Sequence, residues 1–293
     1  MLPRTWSRYS RAMNKPLRYI YFGTPGVAAQ TLERLIEAGL TPVLVVTVPP
    51  APRGRGLVLT PSETDALAKA HEIPVLAPER LDKAAIEAIR GYGAELAVVV
   101  AYGKIFPQAL IDAFLKGAVN VHYSLLPKYR GATPMEAALL SGDTETGVTI
   151  QQMALELDAG DILAQEATPI GPEETARELR PRLIDMGARM LAELLPKIAA
   201  GKVTPMSQDH ALATRAKKFK KEDGLLDPPA GGRASPQQHL ENWHKYRAYA
   251  DTIGTYFFRD GVRYKITKAS FKDGRFRVER VIPEGKREID WGT

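Results

Sequence analysis

The chain contains no cysteine among its 293 residues. This absence excludes disulfides, zinc sites with thiolate ligands and catalysis by a cysteine nucleophile. Histidine is also sparse, and its five copies stand at positions 71, 122, 210, 239 and 244. They lack the close spacing that is typical of metal ligands, so we expect no bound metal.

Long apolar segments are absent as well. No run approaches the roughly 20 residues that a helix needs to cross a bilayer, so we expect no membrane partner. Residues 1–16 are basic, but they lack the apolar stretch of a secretory signal. We expect them to form a disordered leader, with Met13 as an alternative start, and we expect the protein to be cytoplasmic.

Charge is distributed unevenly along the chain. Residues 202–293 carry 19 Lys and Arg against 12 Asp and Glu, whereas residues 19–201 carry 16 against 22. A basic C-terminal part suggests a polyanionic partner. A solvated basic surface is the alternative that the charge distribution leaves open.

The order of predicted elements defines the fold class. A strand at 17–22, a helix at 27–38 and a strand at 41–48 form a βαβ unit, which favours a parallel sheet with helices on both faces. The first turn, Gly23-Thr24-Pro25-Gly26, lacks the G-x-G-x-x-G spacing and disfavours a dinucleotide site. Residues 49–61 contain several prolines and are predicted to form a long loop.

Three domain-level segments follow the leader. We predict an α/β protein with a Rossmann-like parallel or mixed sheet in an N-terminal catalytic domain at 17–203. Residues 204–236 are rich in charge, Pro and Gly and would form a basic linker. Residues 237–293 would form a small β-rich domain, in which the Asp-Gly pairs at 260–261 and 273–274 are typical hairpin turns.

The most informative stretch is V-N-V-H-Y-S-L-L-P-K-Y-R-G-A-T-P at 119–134. Side chains alternate along a strand, so Asn120 and His122 would share one face at the end of a buried strand. Ligands of open α/β sheets bind at the carboxyl ends of strands. An amide and an imidazole placed there would suit a reaction that develops negative charge on oxygen.

This stretch resembles the folate-dependent formyltransferases. It is followed by E-T-G-V-T-I-Q-Q-M at 145–153 and by L-D-A-G-D-I-L at 157–163, as in that family. Three further segments resemble the branch that formylates methionyl-tRNA. They are Phe22 to Pro25, the R-G-R-G-L-V-L-T-P-S stretch at 53–62 and K-F-K-K-E-D-G-L-L-D at 218–227.

The resemblance implies an activity and its partners. The donor would be 10-formyltetrahydrofolate, used as a co-substrate, and the acceptor would be the amino group of initiator methionyl-tRNA. Formylation of that amino group would serve translation initiation. The enzyme would act as a monomer.

The resemblance also implies roles for individual residues, which fall into three groups. The catalytic residues would be Asn120, His122 and Asp158. Donor-binding residues would be Tyr102, Gly103, Ser124, Leu125, Leu126 and Pro127, and tRNA-binding residues would be Arg53, Arg55, Lys217, Lys218, Lys220 and Lys221.

One departure from the family pattern lies in the C-terminal domain. Members of this branch end in an OB-like barrel, but here Lys265 to Ala269 is followed almost directly by Val281 to Lys286, which resembles the last part of that barrel. We therefore expect a shortened OB-like domain. This departure leaves two alternatives, a sugar-nucleotide N-formyltransferase and a non-catalytic RNA-binding protein.

Overall fold

The computed structural model describes residues 17–54, 56–227 and 235–291. The predicted leader and Arg55 lie outside these residues. The described chain forms two compact units, each assembled from three segments. The first contains residues 17–127, 148–166 and 183–213, and the second contains residues 128–147, 167–182 and 214–291.

Strands occur along the whole of the described chain. In chain order they are β1 (Tyr19–Gly23), β2 (Leu44–Val46), β3 (Ala51–Arg53), β4 (Val58–Thr60), β5 (Val75–Leu76), β6 (Leu96–Val100), β7 (Ala118–His122), β8 (Arg130–Gly131), β9 (Glu145–Gln152), β10 (Ile162–Pro169), β11 (Arg215–Ala216), β12 (Thr255–Arg259), β13 (Val262–Lys272), β14 (Arg275–Pro283) and β15 (Ile289–Asp290).

The helices follow the amphipathic segments of the sequence. They are α1 (Gly26–Glu37), α2 (Glu63–Ala70), α3 (Lys83–Arg90), α4 (Gln108–Ile111), α5 (Pro134–Ser141), α6 (Ala176–Ala199) and α7 (Pro236–Tyr249). The Ser62 hydroxyl accepts a hydrogen bond from the Asp65 backbone N–H at 3.0 Å. It thereby caps α2 at its N-terminus.

The main sheet of the first unit has seven strands, most of them parallel. The strand order is β10-β9-β7-β6-β1-β2-β5. Strands β1, β2, β5, β6 and β7 run parallel to their neighbours within this group, and β9 pairs with β7 in the antiparallel sense. Every residue of β1 and β6 is buried, as expected for central parallel strands covered on both faces. The α/β prediction is confirmed.

Aromatic side chains fill the core on one side of this sheet. The Phe22 ring meets the rings of Tyr102, Phe106 and Phe114 edge to face, with centroids 4.8–6.3 Å apart. Such pairs stabilise a core beyond the burial of apolar area. This packing fixes the segment that follows β6, which lies beside the strand that carries Asn120 and His122.

The prediction of a long loop at 49–61 is wrong in one respect, because these residues contain a β-hairpin. Strands β3 and β4 pair in the antiparallel sense, with Arg53 opposite Val58. Prolines at positions 49, 50 and 52 argue against a strand within a sheet. An isolated two-stranded ribbon tolerates them, since each strand is an edge with one side unpaired.

The second unit contains an antiparallel sheet in the order β12-β13-β14-β15. Helix α7 supplies Trp243 to a core that also includes Phe257, Ile266 and Phe276. Both predicted Asp-Gly turns form, and their residues have the positive φ angles of tight hairpins. Within the predicted linker, β11 pairs in parallel with β8. The prediction that the C-terminal part is rich in strands is confirmed, and these strands are antiparallel.

Candidate active site

Strand β7 ends with Asn120 and His122 on the same face of the sheet. Val119 and Val121 point to the other face and are buried. Asn120 is half-buried and lies opposite Gln151 of β9, whereas His122 is buried and lies opposite Thr149. The predicted amide and imidazole therefore stand side by side at the carboxyl end of a parallel strand.

Asp158 reaches this strand from the turn between β9 and β10. His122 Nδ1 and Asp158 Oδ2 are 3.6 Å apart, and the two side chains are only 5% and 10% exposed. This separation exceeds a hydrogen bond, but a protonated imidazole would interact strongly with the carboxylate in so little water. The family resemblance of the sequence predicts this convergence of residues 36 positions apart.

Two glutamines that the sequence motifs do not single out hold the Asp158 turn. Gln151 Nε2 donates to Asp158 Oδ1 at 2.8 Å. Gln208 Nε2 donates to the backbone oxygens of Asp158 and Gly160 at 2.9 and 2.7 Å. The sequence contains one indication of the role of Gln151. Thr149 and Gln151 are two residues apart on a strand, so their polar side chains lie on the same face, towards Asn120 and His122.

The segment from Ser124 to Pro127 is fixed by two polar side chains. Thr149 Oγ1 donates to the Ser124 carbonyl at 2.7 Å and accepts from the Leu126 N–H at 3.1 Å. Gln165 Nε2 donates to the Leu126 carbonyl at 2.9 Å. The Leu126–Pro127 peptide is cis. Leu126 is buried whereas Leu125 is half-buried, so Leu125 has more surface available to a ligand.

Tyr102 and Gly103, which were predicted to bind the donor, follow β6, but the Tyr102 side chain points into the core. Its ring packs against Phe22 and Phe106, and burial raises the pKa of its hydroxyl to about 12. Only the backbone of Tyr102 can contribute to a ligand site in this arrangement. The Gly103 residue has a φ angle of +83°, a conformation that glycine adopts without strain.

The residues predicted to bind tRNA are all at the surface where they are described. Arg53, at the end of β3, makes a fork-like ion pair with Glu63, at 2.5 and 3.3 Å. This arginine lowers the pKa of the Glu63 carboxyl. The predicted lysines are all exposed; they are Lys217, Lys218, Lys220 and Lys221.

Neither a metal-binding cluster nor a membrane-spanning helix is present among the described residues. Residues 17–54, 56–227 and 235–291 contain no group of three or more His, Asp and Glu placed to hold a metal ion. The same ranges contain no helix that is both long and apolar enough to cross a membrane.

Comparison with known proteins defines the class. The family model described as formyl transferase matches residues 17–195, which include the whole of the polar cluster at Asn120, His122 and Asp158. The computed structure superimposes with a TM-score of 0.64 on an N-formyltransferase from Helicobacter canadensis, in a complex with folinic acid and dTDP-3-aminofucose. The two are 18% identical, and the match covers 88% of each chain. The fold is therefore that of a formyltransferase.

Sequence relatives give a narrower family. The methionyl-tRNA formyltransferase of Geobacter sulfurreducens is 41% identical over 274 residues, which are 93% of this chain and 84% of that protein. The methionyl-tRNA formyltransferase of Citrifermentans bemidjiense is 39% identical, with 94% and 84% covered. The chain belongs to the methionyl-tRNA formyltransferase family.

Proposed function

We propose that the protein transfers a formyl group from 10-formyltetrahydrofolate to the α-amino group of initiator methionyl-tRNA, in the cytoplasm and as a monomer. The observation that carries this proposal is the convergence of Asn120, His122 and Asp158 at the carboxyl end of β7. Family membership implies a folate-derived donor. The similarity to sugar N-formyltransferases is confined to the fold, at 18% identity, so it does not favour an amino-sugar acceptor.

The chemistry follows from the three side chains. The neutral amine attacks the formyl carbon, and the carbonyl oxygen gains negative charge in a tetrahedral intermediate. Asn120 donates its amide N–H to that oxygen, and a protonated His122 adds a charge-assisted donor. Asp158 takes the proton that the attacking nitrogen loses. The bond from the formyl carbon to the donor nitrogen then breaks, and that nitrogen takes up the proton that Asp158 had accepted.

The donor would bind beside these residues. The segment from Ser124 to Pro127 begins two residues after His122. Hydrogen bonds with Thr149 and Gln165 keep its backbone in place. We propose that Leu125 packs on the flat ring of the donor. The backbone at Tyr102 and Gly103 would supply polar contacts.

The acceptor would bind through phosphate contacts. Guanidinium groups match phosphate geometry, and Arg53 is exposed on the β3–β4 hairpin. We propose that Arg53, Arg55 and the exposed lysines at 217–221 contact tRNA phosphates.

Light scattering of the purified protein at assay concentration tests the proposed monomeric state. A mass equal to that of a dimer would contradict it.

The test is a formylation assay with purified protein, initiator tRNA charged with methionine and 10-formyltetrahydrofolate. We expect formyl-methionyl-tRNA to form, and we expect His122→Ala to lose most of this activity. A dTDP-linked amino sugar is the competing acceptor. Formylation of that sugar with methionyl-tRNA ignored, or equal rates for the parent and His122→Ala, would overturn the proposal.

A further inference from the structure

The carboxylate of Asp158 has one oxygen committed to a glutamine. Gln151 lies on β9, is 2% exposed, and its Nε2 donates to Asp158 Oδ1 at 2.8 Å. The other oxygen, Oδ2, is the one that lies 3.6 Å from His122 Nδ1. Gln151 therefore holds the carboxylate by one oxygen and leaves the other oxygen facing the imidazole.

A second glutamine holds the backbone on which Asp158 stands. Gln208 is 6% exposed, and both hydrogens of its Nε2 are used, one for the Asp158 carbonyl and one for the Gly160 carbonyl. The same nitrogen lies 3.4 Å from Gln151 Oε1, so the two amides are in contact. Residues 151, 158 and 208 form one connected network.

The backbone conformation of Asp158 explains why the turn needs support from this network. Its φ angle is +53°, a left-handed conformation that is strained for a residue other than glycine. Such a conformation persists only where surrounding contacts impose it. Burying two amides is unfavourable unless their polar atoms are hydrogen-bonded, and here the Asp158 turn supplies the acceptors.

We infer that Gln151 and Gln208 are positioning residues for the transfer reaction, with Gln151 setting the rotation of the Asp158 carboxylate and Gln208 setting the turn that carries it. The inference rests on the proposed function, because it concerns the carboxylate that would take a proton from the amine. Neither glutamine is placed in contact with a substrate.

The decisive variant is Gln151→Met, which keeps the length of the side chain and removes the N–H donor. We expect kcat to fall about tenfold to hundredfold, because small misplacements of a reacting group have effects of that size. KM for both substrates should stay within about twofold, since substrate contacts are unchanged. Gln208→Leu should lower kcat as well, and it should also lower the melting temperature because two turn carbonyls lose their donor.

An isosteric variant adds a signature that a purely structural role would not produce. Gln151→Glu places a carboxyl group against Asp158, and like charges favour protonation of one of the two. The ionisable groups that this side chain faces are Asp158 on the turn and, beyond it, His122 on β7, while Gln208 is neutral. The activity of Gln151→Glu relative to the parent should rise as the pH falls from 8 to 6, because the protonated carboxyl can again donate.

Gln152 provides the matched control, because it is the next residue of β9 and is exposed on the opposite face of the strand. Gln152→Met and Gln152→Glu should keep kcat within about twofold, with no change in pH dependence. Equal kcat in Gln151→Met and Gln152→Met, or a loss confined to KM, would overturn the inference. A parent enzyme that does not formylate methionyl-tRNA would instead overturn the proposed function.

Discussion

At the scale of single residues, Asp158 combines a strained backbone with a nearly buried carboxylate beside His122. Asparagine tolerates positive φ angles better than most residues, so Asp158→Asn removes the charge without adding backbone strain. We expect kcat to fall about 10²- to 10⁴-fold, the usual range for loss of a general base. Steady-state kinetics with methionyl-tRNA measures the effect, and thermal unfolding should change little.

Asp273→Asn is the matched control for that substitution. Asp273 also has a φ angle of +53°, but it lies in the exposed turn between β13 and β14. The same chemical change there should leave kcat unchanged. If Asp158→Asn retained more than a tenth of the parent kcat, Asp158 would not be the base.

A second residue-scale prediction concerns Gly160, two positions after Asp158. A Cβ atom at this position would overlap the carbonyl oxygen of Gln152, and a backbone group has no freedom to move aside. We expect Gly160→Ala to lower the free energy of unfolding by about 1–3 kcal/mol, the range for overpacking. It should also reduce kcat, because the turn that carries Asp158 must shift. Urea unfolding and the formylation assay measure the two effects.

Gly26→Ala is the control for Gly160→Ala. Gly26 begins α1, and an added Cβ there would meet only the end of the Gln30 side chain, at 3.8 Å. Alanine favours helix over glycine, so this variant should be as stable as the parent or more so. Similar losses in both variants would show that the overlap at Gly160 does not matter.

At the scale of elements, the β3–β4 hairpin presents charge and apolar surface together. Leu57, Val58 and Leu59 are each at least 66% exposed, next to the ion pair of Arg53 and Glu63. Exposed pairs of this kind contribute little to stability. We infer that Glu63 holds the Arg53 guanidinium in place and competes with phosphate for it.

This competition predicts opposite effects on tRNA binding for substitutions of Arg53 and of Glu63. Arg53→Ala should weaken the binding of tRNA and reduce the slope of log K against log salt concentration by about one contact, which is ~0.7–0.9. Glu63→Gln should tighten binding, because the arginine is released from its carboxylate. Filter binding at several salt concentrations measures both, and Arg90→Ala on α3 is the control. Weaker binding by Glu63→Gln would contradict the competition.

At the scale of the whole molecule, the positive charge is concentrated in the C-terminal third of the chain. The protein carries a net charge of +6, and the exposed lysines at 217, 218, 220 and 221 contribute four of the positive charges. Basic surface supplies sequence-independent affinity for nucleic acid, and that affinity weakens as salt is added.

Replacing these four lysines by alanine should weaken tRNA binding at low salt and flatten its salt dependence. Each phosphate contact that is lost removes ~0.7–0.9 from the slope, so the change should exceed one unit if the lysines act together. The turnover number at saturating tRNA should remain close to that of the parent, because none of these lysines belongs to the polar cluster. Replacing Lys83 and Lys202, which are also exposed, serves as the control. If the slope of log K against log salt concentration is unchanged, these lysines belong to a solvated surface that does not contact tRNA.

The sequence alone determined those features that local chemistry encodes. The alternation of apolar and polar residues around Asn120 and His122 predicted the end of β7, and the Asp-Gly pairs predicted the two hairpin turns. The motifs at 119–134 and 157–163 identified the family and the residues Asn120, His122 and Asp158. The proximity of these three residues in space could be anticipated only because the family pattern links them.

Tertiary structure decided which polar side chains support that cluster. The register of β7 against β9 sets Gln151 opposite Asn120, and no local pattern fixes that register. Gln208 lies 50 positions from Asp158 in the chain and reaches the 158–160 turn only after folding. Periodicity and turn propensity act over a few residues, whereas a hydrogen bond between distant amides depends on how the whole sheet packs.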